Sequence, residues 1–293
     1  MRKTPRISVV VPSYGQGRYL AKNLESLVTQ RYPDLEIIVV DGGSTDGSVD
    51  VIRRFEQHIT WWVSETDDGQ ADAINKGMAR ATGTIVTWLN SDDWLLPGAL
   101  QWYADMFERH PEVDIVVGSG RIVDPEGVEL YHCTPPTSIT EATLFSWMGG
   151  GDFMQPSTAF TRKSWQMVGG LDRSIHIALD VDLWIRMQQA GFKFASDPHP
   201  VSEALGHRSA KTRAFENHMR VDCALTITRH GGESFARLKL DEMAAQLEWN
   251  RVWHDRLASS LGARIERKLR RWLGCDWPAS SWRDFMPPWS RRT

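Results

Sequence analysis

The residues best suited to chemistry are carboxylates that stand where apolar runs end. Asp92-Asp93 follows the run 84–89, Asp41 follows 35–40, and Glu65, Asp67 and Asp68 follow 60–64. Adjacent carboxylates suit a hard divalent cation such as Mg²⁺ or Mn²⁺, which takes one or two of them and completes its shell with water and phosphate oxygens. Asp-Asp is also an ordinary turn and helix-capping dipeptide. Asp41 precedes Gly42-Gly43; its carboxylate could accept hydrogen bonds from a ribose or base, and the glycines let a ligand approach the backbone. Asp180 and Asp182 open a helical stretch. The macrodipole at a helix N-terminus favours an ionised carboxylate there, as a general base requires. One of the two is expected to be that base and the other a helix cap, and Asp46 reads as a cap as well. His207 could complete a metal shell, with Arg208 and Lys211 beside it for phosphate oxygens. A lone histidine is usually structural, and His176, His199, His218 and His230 have no supporting context.

Several function classes are disfavoured. The loop 42–47 lacks the Gly-Lys-Ser/Thr ending of a P-loop and is not a GxGxxG fingerprint, which counts against ATPases and dinucleotide-dependent dehydrogenases. With 34 basic and 37 acidic residues in 293, the net charge of −3 makes no case for nucleic acid as a partner. Three scattered cysteines form neither a disulfide framework nor a CxxC metal site and suit a reducing compartment. No apolar stretch reaches the roughly 18 residues of a membrane span, and the run 7–11 is too short for a signal peptide. A cytoplasmic location is therefore expected, with peripheral contact to the inner face of the plasma membrane left open.

The elements that must position these carboxylates alternate. Strands are expected over 7–11, 35–40, 60–64, 84–89 and 113–117. Helices are expected over 19–30, 49–55, 70–81, from Pro97 to about 109, over 162–168 and 182–189, and in most of the chain after 234. Strands separated by helices of this length imply βαβ units and a mostly parallel sheet, which binds ligands outside the carboxyl ends of its strands. Four of the expected strands end in a polar or acidic loop.

Four stretches together carry a family resemblance. The first is Ile7-Ser8-Val9-Val10-Val11-Pro12-Ser13-Tyr14, and the second Val39-Val40-Asp41-Gly42-Gly43-Ser44-Thr45-Asp46-Gly47. The third runs from Gly69-Gln70-Ala71-Asp72-Ala73-Ile74-Asn75-Lys76-Gly77 to Asn90-Ser91-Asp92-Asp93. The fourth joins Gln155-Pro156-Ser157, Gly169-Gly170-Leu171-Asp172 and Leu179-Asp180-Val181-Asp182-Leu183-Trp184. Over residues 5–212 the chain resembles family 2 glycosyltransferases. The resemblance implies a GT-A fold: a Rossmann-like α/β domain over 1–212, with a nucleotide-sugar half to about 120 and an acceptor half beyond it. A helical, basic, Trp-rich extension over 213–293 follows.

The same resemblance implies roles. Pro12, Tyr14 and Asp41 would hold the base and ribose. Asp68, Asp72, Asn75 and Lys76 would border the nucleotide and diphosphate. Asn90-Ser91-Asp92 stands at the family's DxD motif, departing from it at Asn90, with Asp92 meeting Mg²⁺ or Mn²⁺. Asp180 stands at the catalytic base and His207 at a histidine for metal or diphosphate; Asp93, Asp182, Trp184 and Arg208 are possible supports. The implied reaction moves a sugar with inversion from a nucleoside-diphosphate sugar, a UDP-sugar first, to a hydroxyl of a saccharide or lipid-linked acceptor in cell-surface polysaccharide biosynthesis. A non-catalytic nucleotide-sugar-binding subunit is the alternative. A nucleotidyltransferase is disfavoured because 13–18 offers only Arg18 where a basic Gly-rich loop is needed.

The end of the chain differs in kind. Residues 251–293 hold 10 Lys and Arg against 4 Asp and Glu, a net of +6, which leaves −9 for the rest, and 6 of the 14 Trp lie after residue 248. Leu261, Ile265, Leu269, Trp272 and Leu273 share one helical face among arginines. Such a helix can lie on an anionic membrane surface, here through 258–290, or pack against protein.

Overall fold

A computed structural model describes residues 4–147, 153–206 and 216–259. The β-branched runs form β1 (Ile7–Ser13), β2 (Leu35–Asp41), β3 (Trp61–Ser64) and β4 (Ile85–Trp88). These four are parallel in the order β3-β2-β1-β4. Register aligns Ser13 with Asp41 and Asp41 with Ser64, so three strands deliver polar residues to one edge. The sheet continues through β8 (Thr158–Thr161), β6 (Ile115–Val123), β9 (Phe194–Leu205) and β5 (Asp93–Leu95), with β7 (Glu129–Cys133) paired to β6. Among the described residues of this half only β6 and β9 pair in parallel; β8 runs antiparallel to both β4 and β6.

Helices cover both faces. They are α1 (Gly17–Val28), α2 (Ser48–Phe55), α3 (Gln70–Arg80), α4 (Ala99–Arg109), α5 (Glu141–Phe145), α6 (Arg162–Val168), α7 (Leu179–Gln189), α8 (Glu216–Arg229) and α9 (Glu233–Ser259). Alternate residues of a strand point to opposite faces. Val9 and Val11 accordingly join Leu20, Leu24 and Leu27 of α1 in one core. Val10 joins Ile74 and Met78 of α3, Trp88 and Trp184 in the other. Burying each such aliphatic side chain is worth roughly 1.5–3 kcal/mol. Gly77 sets the approach of α3 to β1: a Cβ there would lie 2.4 Å from Val10 Cγ1.

The expected strands and helices of the first 120 residues are present, with ends shifted by a few residues. No expectation from the sequence covers β5, β9, α5 or α8. β5 is only three residues long and contains a carboxylate, and β9 carries Pro198 and Pro200, which discourage a strand assignment. Asp93, expected in a loop, is the first residue of β5 and is buried.

The chain divides into two compact units, Met1–Leu240 and Asp241–Thr293. Cys223, Ala224, Ile227 and Ala236 lie in the same core as α7, so the boundary expected at 212 falls inside the first unit. The basic amphipathic stretch from Leu261 onward lies outside the described residues, as do His207 and Arg208. Among the described residues no helix is long and apolar enough to cross a membrane.

Candidate active site

Asp41 is fully buried at the carboxyl end of β2. It accepts hydrogen bonds from the Ser44 amide (2.9 Å), the Ser44 hydroxyl (2.6 Å) and the Ser64 hydroxyl (2.6 Å). These bonds fold the 42–47 loop over the carboxylate. Pro12 is buried within β1, whereas Tyr14, just past that strand, is 74% exposed. A Cβ on Gly42 would lie 2.9 Å from Asp67 Oδ2 and 3.1 Å from the Tyr14 ring, so Gly42 forms the floor between those two side chains. Asp46 accepts from the Gly17 amide at the start of α1 and from the Ser48 hydroxyl in α2; the N-cap position of α2 is Gly47, so Asp46, expected as the cap, instead ties the two helix starts together.

A charge cluster gathers on α3. Asp72, buried in its first turn, accepts from Arg173 Nη1 (2.9 Å), Lys76 Nζ (3.3 Å) and the Asp68 amide (3.3 Å). Burial pushes the Asp72 carboxyl up, but the Asp68 amide, Lys76 and Arg173 outweigh it and hold it below the usual range. Lys76 also reaches Glu65 at 3.1 Å, and Arg173 reaches Asp68 at 3.8 Å. Asn75, expected to border the nucleotide, is engaged elsewhere. Its amide donates to the Leu171 carbonyl (2.9 Å) and accepts from the Leu171 N–H (3.0 Å).

The Asn90–Asp93 turn is stapled from below. Asn23 Nδ2 donates to the carbonyls of Asn90 (2.8 Å) and Asp93 (2.7 Å). The Asn90 side chain accepts from Gln70 (2.7 Å) and donates to Asp93 Oδ2 (3.1 Å). Gln155, buried below it, donates to the Trp88 carbonyl (2.9 Å). Ser91 is buried, and half-buried Asp92 meets Gln16 Nε2 at 3.5 Å. Burial, and then the Asp92 charge, push the Asp93 carboxyl well above the usual carboxylate range, against the Asn90 hydrogen bond. Of the two adjacent acids, Asp92 is thus the better cation ligand. Among the described residues no three or more His, Cys, Asp or Glu converge into a metal cage. One carboxylate fits a cation that draws its remaining ligands from phosphate and water.

Asp180 is the second residue of α7 and is half-buried. Its Oδ1 accepts from the Val181 amide (2.9 Å), and burial pushes its pKa up to about 6, with backbone N–H groups opposing. Asp182 faces away into the protein. It is buried, accepts from Arg186 Nε (2.7 Å) and lies 2.8 Å from His230 Nε2. Arg186 in turn donates to the carbonyls of Val168 and Gly170, both at 2.7 Å. Trp184 is fully buried and stacks on Trp88 with ring centroids 5.9 Å apart. Asp182 and Trp184 are therefore framework rather than supports that face a ligand. Trp147 packs edge-on to Phe153, with ring centroids 4.7 Å apart.

The partners of three contributors could not be read from the sequence: Asn23, His230 and Asp222 of α8. Asp222 accepts from the amides of Ile177 and Ala178, both at 3.0 Å, where the chain enters α7. Each binds a partner 44 or more residues away, which no local pattern reveals.

A parallel half-sheet with acidic residues along its carboxyl edge, joined to a mixed half that carries α7, is the GT-A type of architecture. The chain belongs to glycosyl transferase family 2, whose family model matches residues 8–167. It is 26% identical over 196 residues to chondroitin synthase of Escherichia coli, covering 65% of this chain and 28% of the relative's length. The chain thus matches well under half of that protein. Among solved structures it is similar to S. aureus TarS 1-349 in complex with UDP, with a TM-score of 0.59 and 19% identity over 76% of this chain and 65% of that one. It is also similar to the mannosyltransferase PcManGT from Pyrobaculum calidifontis in complex with GDP-Man and Mn²⁺. There the TM-score is 0.57 and identity 19%, over 92% of this chain and 85% of that one.

Proposed function

We propose that the chain transfers a sugar from a nucleoside-diphosphate sugar to an acceptor hydroxyl with inversion, using Asp180 as general base. The observation that carries this reading is the setting of Asp180: it is half-buried at the start of α7, with Oδ1 on its own helix amide and a pKa raised to about 6. A carboxylate of that pKa is ionised at neutral pH yet basic enough to assist proton removal. Asp180 takes the acceptor proton as the hydroxyl oxygen bonds to the anomeric carbon. The bond from that carbon to the diphosphate oxygen breaks, and the nucleoside diphosphate leaves with the electron pair. One base and one displacement give inversion.

Asp92 would hold Mg²⁺ or Mn²⁺ together with the diphosphate, and a bound divalent ion stabilises charge on a leaving group. Lys76 and Arg173, gathered on Asp72, offer further cations to phosphate oxygens. Tyr14 and the 41–44 loop would receive the base and ribose. A UDP-sugar is the first donor to test, supported by the UDP complex of TarS, with GDP-sugars next because PcManGT was solved with GDP-Man. The similarity to chondroitin synthase supports a saccharide acceptor in polysaccharide synthesis, free or lipid-linked. The basic segment 258–290 would then bring the enzyme to an anionic membrane surface on the cytoplasmic side.

The test is a panel of UDP-, GDP- and dTDP-sugars with Mg²⁺ or Mn²⁺, read by thermal shift and by release of free nucleotide. A ligand at 100 times its Kd stabilises the folded state by about 2.7 kcal/mol. One donor giving a metal-dependent shift, with slow hydrolysis that Asp180→Asn sharply lowers, is the expected result. No shift with any donor, or undiminished turnover in Asp180→Asn, overturns the proposal.

A further inference from the structure

We infer that Asp222 is a positioning residue for Asp180, and that α8, which lies beyond the family match, is the element that fixes the base. The inference rests on reading Asp180 as the base. A single oxygen, Asp222 Oδ2, accepts both the Ile177 and Ala178 amides at 3.0 Å. The Ala178 carbonyl accepts the first hydrogen bond of α7, from the Asp182 amide at 3.0 Å. The Ala178 residue is therefore held through both of its backbone groups, two positions before Asp180. A carboxylate beside a helix N-terminus also complements the helix dipole.

The next residue in α8 reports the same proximity. Cys223 is buried, and its thiol is pushed up to about 12 by burial and by the charges of Asp180 and Asp222. The far end of α8 is fastened independently. Arg229 pairs with Asp172 at 3.1 Å, His230 lies 2.8 Å from Asp182, and the His230 carbonyl accepts from Gln189 at 3.0 Å. Removing the Asp222 carboxylate thus releases the entry to α7 while α8 keeps its other attachments.

The experiment compares Asp222→Ala, Asp222→Asn and Asp222→Glu, alone and combined with Asp180→Asn. Turnover is read as nucleoside diphosphate released from the donor sugar, and affinity by titration with UDP or GDP. In Asp222→Ala, kcat is expected to fall by about 10²-fold while nucleotide Kd stays within about twofold, as misplacing a reacting group by an ångström does. Asp222→Asn keeps an acceptor oxygen and should restore kcat to within about threefold of the parent. Asp222→Glu keeps the charge but displaces the oxygen, and should lower kcat; it carries the test if the alanine variant does not fold. On an Asp180→Asn background none of the three should cost further activity, because residues acting as one unit are non-additive. Parental kcat in both Asp222→Ala and Asp222→Glu, parallel loss of kcat and nucleotide affinity, or further loss on the Asp180→Asn background overturns the inference. Undiminished turnover in Asp180→Asn alone removes the base reading instead.

Discussion

Asn75 of α3 and Leu171 of the Gly-Gly-Leu-Asp turn are joined by two hydrogen bonds across 96 residues, the side-chain amide donating to one backbone group and accepting from the other. The pair ties the nucleotide-side helix α3 to the loop that leads into α7. Asn75→Ala leaves a backbone N–H and carbonyl unpaired, which costs roughly 1–3 kcal/mol. Calorimetric unfolding should show a Tm lowered by several degrees. Nucleotide affinity, by titration with UDP or GDP, should stay within about threefold because the amide is committed to backbone. A selective loss of affinity at unchanged Tm would return Asn75 to the donor site.

Asp92 and Asp93 are adjacent in sequence but differ in setting. Asp93 is buried, bonded to Asn90 and pushed above the usual carboxylate range by burial and by the Asp92 charge, so it is turned into the protein and not toward a cation. Donor affinity in Asp93→Asn should remain within about threefold, and Mg²⁺ or Mn²⁺ should still enhance it. Asp92→Asn should lose that enhancement, and chelation of the metal should then have no further effect on the variant. Thermal shift with and without EDTA reads both. Equal metal dependence in the two variants would place the cation elsewhere.

The nucleotide-side half was legible because its signals are local. Continuous Val/Ile runs mark fully buried strands, and each breaks at a polar turn one strand-length later, so Asp41 and Asp92 could be placed at the sheet edge from spacing alone. The other half was less legible because its organisation is non-local. β9 contains two prolines, β5 is a three-residue strand, and the apolar residues of α8 that reach the core, Cys223, Ala224 and Ile227, stand among polar ones and make a weak stripe. Asp180 and Asp182 illustrate the limit. Helix geometry separates i and i+2 by about 200°, so only one can face a ligand. Arg186 and His230 hold Asp182 inside, which leaves Asp180 as the residue proposed to face the ligand.

That arrangement makes Asp182 a stability residue. Its carboxylate is buried between Arg186 and His230, and removing one partner of a buried pair costs about 3–5 kcal/mol. Asp182→Ala should unfold at a markedly lower denaturant midpoint than the parent. His230→Ala, which leaves the Arg186 pair in place, should lose less. If Asp182→Ala unfolds with the parent midpoint but loses turnover, Asp182 belongs to the chemistry after all.

Asp180 should reveal itself in two pH dependences of opposite sense. For the reaction, the base must be ionised, so kcat should fall about tenfold per pH unit below about 6 and level off above it. For stability, the folded pKa of about 6 lies above the ordinary carboxylate value, so the native state binds the proton more tightly than the unfolded chain. Ionisation of Asp180 therefore opposes folding: its cost is absent below about pH 4, grows through the interval to about 6, and is constant beyond. Asp180→Asn, which cannot ionise, should unfold at a higher temperature than the parent at neutral pH, and the difference should shrink toward zero in acid. An active-site carboxylate gives up stability to be poised for proton transfer, whereas a carboxylate stabilised in the fold by capping α7 would make the asparagine variant less stable at neutral pH. Parallel melting curves of the two proteins across this pH range therefore show whether the Asp180 pKa is raised in the fold, as the proposed base requires, or depressed, as a cap's would be, with no donor or acceptor in hand.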